Sequence, residues 1–209
     1  MGETTTAAGL DPLLVELLRI RTSQINGCVF CLRKHRRRPQ EGREPTGSPG
    51  KRRSVREALL RSRHPLRRPA AVPAKTLIAL SSQVEEATTA AGLDPLLVEL
   101  LRIRTSQING CSFCLRMHTR DALKKGENPD RIAVLPAWAE TGYFSETDRA
   151  ALRLTEAITR VPDGHVSDED YNAAAAILTA DQVSAIAWLA TVMNAFNRVA
   201  ITSRYPVGS

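Results

Sequence analysis

The sequence predicts an all-α protein carrying a broken internal repeat. Three observations lead there. Sustained period-two alternation, the mark of half-buried strands, is missing from the second two-thirds of the chain. Helix start signals recur along the same stretch. Residues 3–35 also align with residues 86–118 at a constant offset of 83, differing only at Thr4/Ala87, Val29/Ser112 and Lys34/Met117. Solenoid repeats diverge far more than this, so the near-identity reads as a recent duplication and not as a repeat architecture.

Taken in chain order, the elements are these. A helix is expected over 12–27, opening on Asp11-Pro12. The next helices are expected near 75–91, 94–109, 111–125, 129–140, 146–160, 167–177 and 180–201. Asp94-Pro95 and Asn128-Pro129 are N-caps followed by a proline at the first helical position. Ser145 and Ser167 are hydroxyl caps ahead of acidic first turns. Gly92, Gly126 and Gly142 stand where helices should stop, and Val161-Pro-Asp-Gly164 reads as a turn. Around Leu96–Ile103 apolar residues point in almost every direction, which predicts a buried helix with Glu99 inside it. Burial disfavours a charged carboxylate, so Glu99 is expected either to have a raised pKa or to find a structural partner such as an arginine.

Charge divides the chain. Residues 1–73 carry 16 Lys+Arg and 6 Asp+Glu, whereas residues 74–209 carry 13 and 16. The basic excess lies mostly in 36–73, with 12 Lys+Arg, three acids and six prolines. That segment is read as a disordered linker between a truncated copy, 1–35, and a working module, 74–209. A run such as Lys51-Arg-Arg53 normally suggests nucleic acid. Here the genetic code offers another origin: the codons of Arg120–Pro129, read one base early with C or G in third positions, spell Arg37–Pro45. Nine consecutive matches point to a frameshifted copy of the chain's own coding sequence. The charge is then weak evidence of a selected partner, and the mildly acidic module has no electrostatic reason to bind nucleic acid. No apolar run reaches the roughly 18 residues of a membrane helix, and the first residues lack a basic and an apolar region. These features predict a cytoplasmic protein without membrane association.

The chemistry concentrates in Cys111-Ser-Phe-Cys114-Leu-Arg-Met-His118. At about 100° per residue, Cys114 lies roughly 60° from Cys111, with His118 between them in projection. A cysteine in a first helical turn is favoured as thiolate, and the ordinary thiol pKa of about 8.5 leaves it mostly protonated at neutral pH. By this argument alone Cys111 is the more acidic thiol. A His four residues after Cys114 can take a proton, and Glu99 could orient that His or reprotonate it. Two thiols two residues apart can close a disulfide after one is oxidised. Other readings compete: zinc held by Cys28, Cys31, Cys111 and Cys114, or inert buried thiols. The 79 residues between the pairs and the broken first copy weigh against zinc. Haem attachment needs His directly after the second Cys, where Leu115 stands.

Glu99, Cys111-x-x-Cys114 and His118 together resemble the active-site pattern of the alkylhydroperoxidase (AhpD-like) and carboxymuconolactone decarboxylase family. Trp138, Tyr143–Leu152 and Asn194-Ala-Phe-Asn-Arg198 fit the same likeness, which covers about 75–205. The resemblance implies an AhpD-like helical bundle, a homo-oligomer, and reduction of organic hydroperoxides by the cysteine pair. It implies regeneration by a dithiol donor of lipoyl or thioredoxin type, with no cofactor or metal. It makes Cys114 the peroxidatic thiol and Cys111 the resolving one, with Glu99 and His118 relaying protons. Phe113 departs from the pattern, because the best-studied members carry His there; a shorter relay and a lower rate follow. Lactone decarboxylases of the family lack the pair, so decarboxylation is the less favoured chemistry, and a non-catalytic redox sensor is the remaining alternative. Glu16, Cys28, Cys31 and His35 repeat all four residues in the first copy. The helices that would enclose them do not follow, so that copy is expected to be catalytically silent. Asn194, Asn197 and Arg198 are read as capping or bridging residues, Trp138 and Trp188 as core or interface, and His165 as a loop residue.

Overall fold

The computed structural model describes residues 11–26, 28, 30–31 and 71–207. The chain divides into two units, Met1–His64 and Pro65–Ser209. Among the described residues all regular structure is helical. Residues 36–70 of the expected 36–73 linker, and His35, lie outside the described residues; residues 71–73 are helical and not linker.

In the first unit, α1 spans Pro12–Ile25, with the Asp11 side chain accepting from the Leu13 N–H at 2.9 Å. The helix stops two residues before the expected end. In the second unit, α2 spans Ala71–Ala90, and so begins four residues earlier than expected. It is followed by α3 at Pro95–Asn109, α4 at Ser112–Lys124 and α5 at Pro129–Val134. The single helix expected over 129–140 is instead two pieces. Pro136 removes a backbone donor, Ala137 leaves helical geometry at φ −115°, and residues Leu135–Glu140 tighten into a 3-10 segment. The remaining helices are α6 at Glu146–Thr159, a single turn α7 at Val161–Gly164, α8 at Asp168–Ala175 and α9 at Ala180–Thr202.

The sequence-level caps explain these boundaries. Asp94 and Asn128 accept from the N–H two residues on, at 2.8 and 2.9 Å. Ser145 and Thr179 form reciprocal capping boxes with Asp148 and Gln182. His165 lies in the loop after α7, as expected. The buried helix expected around Glu99 is α3, whose residues Leu97 to Ser106 are all buried. It packs on α4, α6 and α9, and α9 also lies along α2 and α6. Leu100, Leu101, Ile103, Leu152, Leu154 and Ile186 form the centre of the core. Burial of such side chains contributes about 1.5–3 kcal/mol each. Glu156 ties the outer layer to this core: it accepts from Arg104 Nε at 2.6 Å, Trp138 Nε1 at 2.8 Å and Arg160 at 2.9 Å. Trp138 is thus an anchored, part-buried residue, whereas Trp188 is exposed.

Candidate active site

Everything at the site hangs on the junction between α3 and α4. Gly110 closes α3 in the left-handed region, at φ +67°. A side chain there would be strained, and the turn lets the Cys111 N–H donate back to the Ser106 carbonyl at 3.0 Å. Cys111 therefore stands at the N-cap of α4 instead of in its first turn, with extended backbone and no side-chain capping bond. Cys114 follows inside the helix. Both are reduced and almost wholly buried, packed with Met193 and Ala200 of α9, Phe113 and Phe196. The two side chains are hydrogen-bonded to each other.

One helical turn beyond Cys114, His118 is also buried, and its Nδ1 lies 2.9 Å from Glu99 Oε2. The other carboxylate oxygen of Glu99 accepts from Arg102 at 2.9 Å and from Lys125 Nζ at 2.8 Å. The expected raised pKa is not what the site produces. Burial pushes the Glu99 carboxyl up, but the His118 and Lys125 hydrogen bonds and the charges of Arg102 and His118 outweigh it, holding the group at about 2. Glu99 is a fixed anion and not a proton donor near neutrality. It found the arginine partner of the plainer expectation and the histidine partner of the functional one at once. An ionised acceptor also fixes the tautomer: Nδ1 carries the hydrogen and donates it, which leaves Nε2 for proton exchange. Among the described residues no hydrogen bond joins His118 to either sulfur.

The thiols differ as well. Burial pushes the Cys114 thiol up, the hydrogen bond and charge of Cys111 add to that, and the Asn197 side chain opposes it; the outcome is about 12. At Cys114 an apolar wall including Phe113 and Phe196 favours the neutral form. Phe113 occupies the place where a histidine would have brought polarity, and it packs edge-on against Tyr205, with centroids 5.0 Å apart. Cys111, by contrast, borders a cleft of about 200 Å³ formed with Gly110, Ser112, Phe113, Ala200, Ile201, Arg204 and Tyr205. Cys114 does not line it.

Asn197 is the residue whose part in the site the sequence did not convey. It is fully buried, bonds the Cys114 thiol, and donates to Ser106 Oγ at 3.2 Å. Its carbonyl oxygen accepts from Asn109 at 2.9 Å, and Asn109 donates at the same distance to Asn194. The bridging role expected for Asn194 and Asn197 is therefore present, but one end of the bridge is a sulfur. The signal available beforehand was a polar residue within an apolar stretch of α9. Arg198 is more peripheral and donates to Asn194.

In the first copy, Glu16 pairs with Arg19 at 3.4 Å, and Cys28 and Cys31 are only partly buried. Glu16 is less buried than Glu99, with 17% of its side chain exposed against 2%, and His35 falls outside the described residues. Among the described residues no group of three or more His, Cys, Asp or Glu is gathered to hold a metal ion. No described helix is long and apolar enough to cross a membrane.

Comparison with known proteins places this geometry. Residues 1–41 and 77–157 match the sequence pattern of the carboxymuconolactone decarboxylase family, so the match falls on both copies. The uncharacterized protein YdfG of Bacillus subtilis is 38% identical over 118 residues, which is 56% of this chain and 80% of that protein. The uncharacterized protein YnjA of Escherichia coli is 27% identical over 70 residues, 34% of this chain and 38% of that protein. A solved structure from Agrobacterium tumefaciens, of a protein of unknown function named as a candidate antioxidant defence protein AhpD, is similar with a TM-score of 0.62. It is 25% identical and covers 67% of this chain and 93% of that one. At this level the likeness supports a peroxidase-like antioxidant function or a decarboxylase-like one. With its all-α, AhpD-like bundle and its match over more than half its length, the chain belongs to the carboxymuconolactone decarboxylase family.

Proposed function

We propose that the protein is a thiol-dependent peroxidase that reduces organic hydroperoxides at Cys111 and Cys114, with His118 moving protons and Glu99 holding His118. The observation that carries this reading is the 2.9 Å Glu99–His118 pair, one turn from a buried, reduced cysteine couple. Structural thiols alone would not need a buried carboxylate–imidazole pair beside them.

The family resemblance assigns first attack to Cys114. Two features favour the reverse order: burial favours the neutral form of the Cys114 thiol, and Cys111 is the sulfur that borders the cleft. In our reading Cys111 thiolate attacks the terminal oxygen of ROOH. The O–O bond breaks, the OH passes to sulfur so that Cys111 becomes a sulfenic acid, and RO⁻ leaves as ROH by taking up the proton that the Cys111 thiol released on ionising. His118 Nε2 then takes the Cys114 proton, the Cys114 sulfur attacks Cys111, and water leaves as the disulfide closes. A dithiol donor of lipoyl or thioredoxin type restores the pair. Phe113 and the apolar walls keep the resting rate low by holding the Cys114 proton in place.

The protein is also proposed to be a homo-oligomer. Ile78 of α2 and Trp188 and Ile201 of α9 are large apolar side chains exposed on two helices that pack together.

Thiol titration before and after one equivalent of cumene hydroperoxide tests the activity. Loss of two thiols from residues 105–116 with one equivalent of alcohol released is expected. No peroxide-dependent loss there overturns the reading. Cys114→Ser tests the order: a sulfenic acid trapped on Cys111 is expected, and an unmodified Cys111 returns first attack to Cys114.

A further inference from the structure

The two cysteine pairs share a spacing and a local turn but have opposite surroundings. The Cys28 N–H donates to the Ser23 carbonyl at 2.9 Å, as Cys111 does to Ser106 at 3.0 Å. Beyond that bond they differ. Cys111 and Cys114 are buried, whereas Cys28 and Cys31 are half-buried and open to solvent. The Cys31 N–H donates to Cys28 Sγ at 3.4 Å, and the Cys31 thiol hydrogen-bonds the same sulfur. These donors, with a weaker one from the Phe30 backbone, favour negative charge on the sulfur. The Cys31 thiol, and then its backbone N–H, hold Cys28 below the usual thiol range, against a smaller opposing effect of burial.

Access separates the pairs further. Attack on a disulfide requires the incoming sulfur to line up with the S–S bond, so a bulky disulfide reaches only an exposed sulfur. The cleft at Cys111 is about 200 Å³, below the roughly 300 Å³ at which ligand pockets begin. A hydroperoxide group or a slender dithiol arm enters such a cleft more readily than a peptide-sized disulfide does.

We propose that Cys28 and Cys31 form a second redox-active pair, one that reduces low-molecular-weight disulfides by thiol–disulfide exchange. Cys28 sulfur attacks one sulfur of RSSR; a Cys28–SR bond forms, the S–S bond breaks, and RS⁻ leaves and takes up a proton. Cys31 gives its proton to solvent and attacks the Cys28 sulfur, expelling the second RS⁻, which is also protonated. The pair loses two electrons, RSSR gains them, and two RSH are released. A separate dithiol restores the pair: one of its thiolates attacks the Cys28–Cys31 bond, its second sulfur displaces the protein thiol from the mixed disulfide as a cyclic disulfide closes, and Cys28 and Cys31 regain the two protons that the dithiol gives up. None of these steps needs a carboxylate–imidazole relay, so the first copy can be silent toward peroxide and active toward disulfides. The inference is independent of the peroxidase reading.

The test uses the full chain with glutathione disulfide as the probe, quenched with acid and digested with trypsin. Val29 against Ser112 gives the peptides 22–33 and 105–116 different masses, so each pair is followed separately. Peptide 22–33 is expected to oxidise at least about tenfold faster than 105–116. Cys31→Ser should trap glutathione on Cys28, and Cys28→Ser should leave Cys31 unmodified over the same time. Both substitutions fall on half-buried sites outside the core, and circular dichroism verifies that the helices persist. Equal rates for the two peptides, faster oxidation of 105–116, or glutathione trapped on Cys31 as readily as on Cys28 would each overturn the proposal. Unchanged peroxide consumption in both variants keeps the two readings separate.

Discussion

Glu99 is the residue on which the site's electrostatics turn. Its carboxyl is held at about 2, below its ordinary value of 4.5. A group with a depressed folded pKa adds stability above its unfolded pKa and loses that contribution as pH falls through the folded value. Stability from Glu99 should therefore drain away between about pH 4.5 and 2, by on the order of 3 kcal/mol. Chemical denaturation across that range checks it, with Glu99→Gln as the control. The variant should be less stable near neutrality by about 3 kcal/mol, because Arg102 and Lys125 lose a buried partner. It should also lack the acid-dependent loss. Asn197 acts more locally. Asn197→Ala removes a donor to Cys114 and takes one of their partners from Asn109 and Ser106. Disulfide closure after oxidation, followed by stopped-flow quench, should slow roughly tenfold, with a stability cost of about 1–3 kcal/mol.

Among the helices, the duplication supplies a controlled comparison. α1 and the first 14 residues of α3 have the same sequence, Pro-Leu-Leu-Val-Glu-Leu-Leu-Arg-Ile-Arg-Thr-Ser-Gln-Ile. Both form helices behind the same Asp-Pro cap, which is the local part of the code. Burial is not local: Leu100 is 0% exposed, and its counterpart Leu17 is 54% exposed. Leu100→Ala should cost about 2–5 kcal/mol, while Leu17→Ala should stay within about 0.5 kcal/mol. Paired urea titrations measure both. Equal costs would mean that α1 is as enclosed as α3. Most helix starts were legible because they rest on a side chain bonding a nearby N–H, as at Asp11, Asp94, Asn128, Ser145, Ser167 and Thr179. The break within residues 129–140 was harder to read, although Pro136 was its visible cause, because the hydrophobic pattern runs straight across it.

For the chain as a whole, the core clusters of the second unit are built from residues 77–200. A chain lacking residues 1–64 should keep its thermal unfolding temperature within a few degrees, and its peroxide consumption as well. Calorimetry and a hydroperoxide assay check the two together. A large fall in either would make the first copy part of the working fold. Such a truncation should also abolish the fast exchange with glutathione disulfide.

Composition, caps and spacing determined by themselves that the chain is helical, where most helices begin, and that Cys111, Cys114 and His118 share one helix face. Each of these depends on contacts within a few residues or on a fixed angular step along one helix. Only the tertiary structure decided what those residues are electrically. Whether a buried carboxylate is neutral or charged, and which thiol keeps its proton, depends on groups distant in sequence. Lys125 reaches Glu99 from the end of α4, and Asn197 reaches Cys114 from α9. The same 14 residues, mostly buried in one unit and mostly exposed in the other, give the reason in its simplest form: a segment specifies its own helix, but its surroundings specify its chemistry.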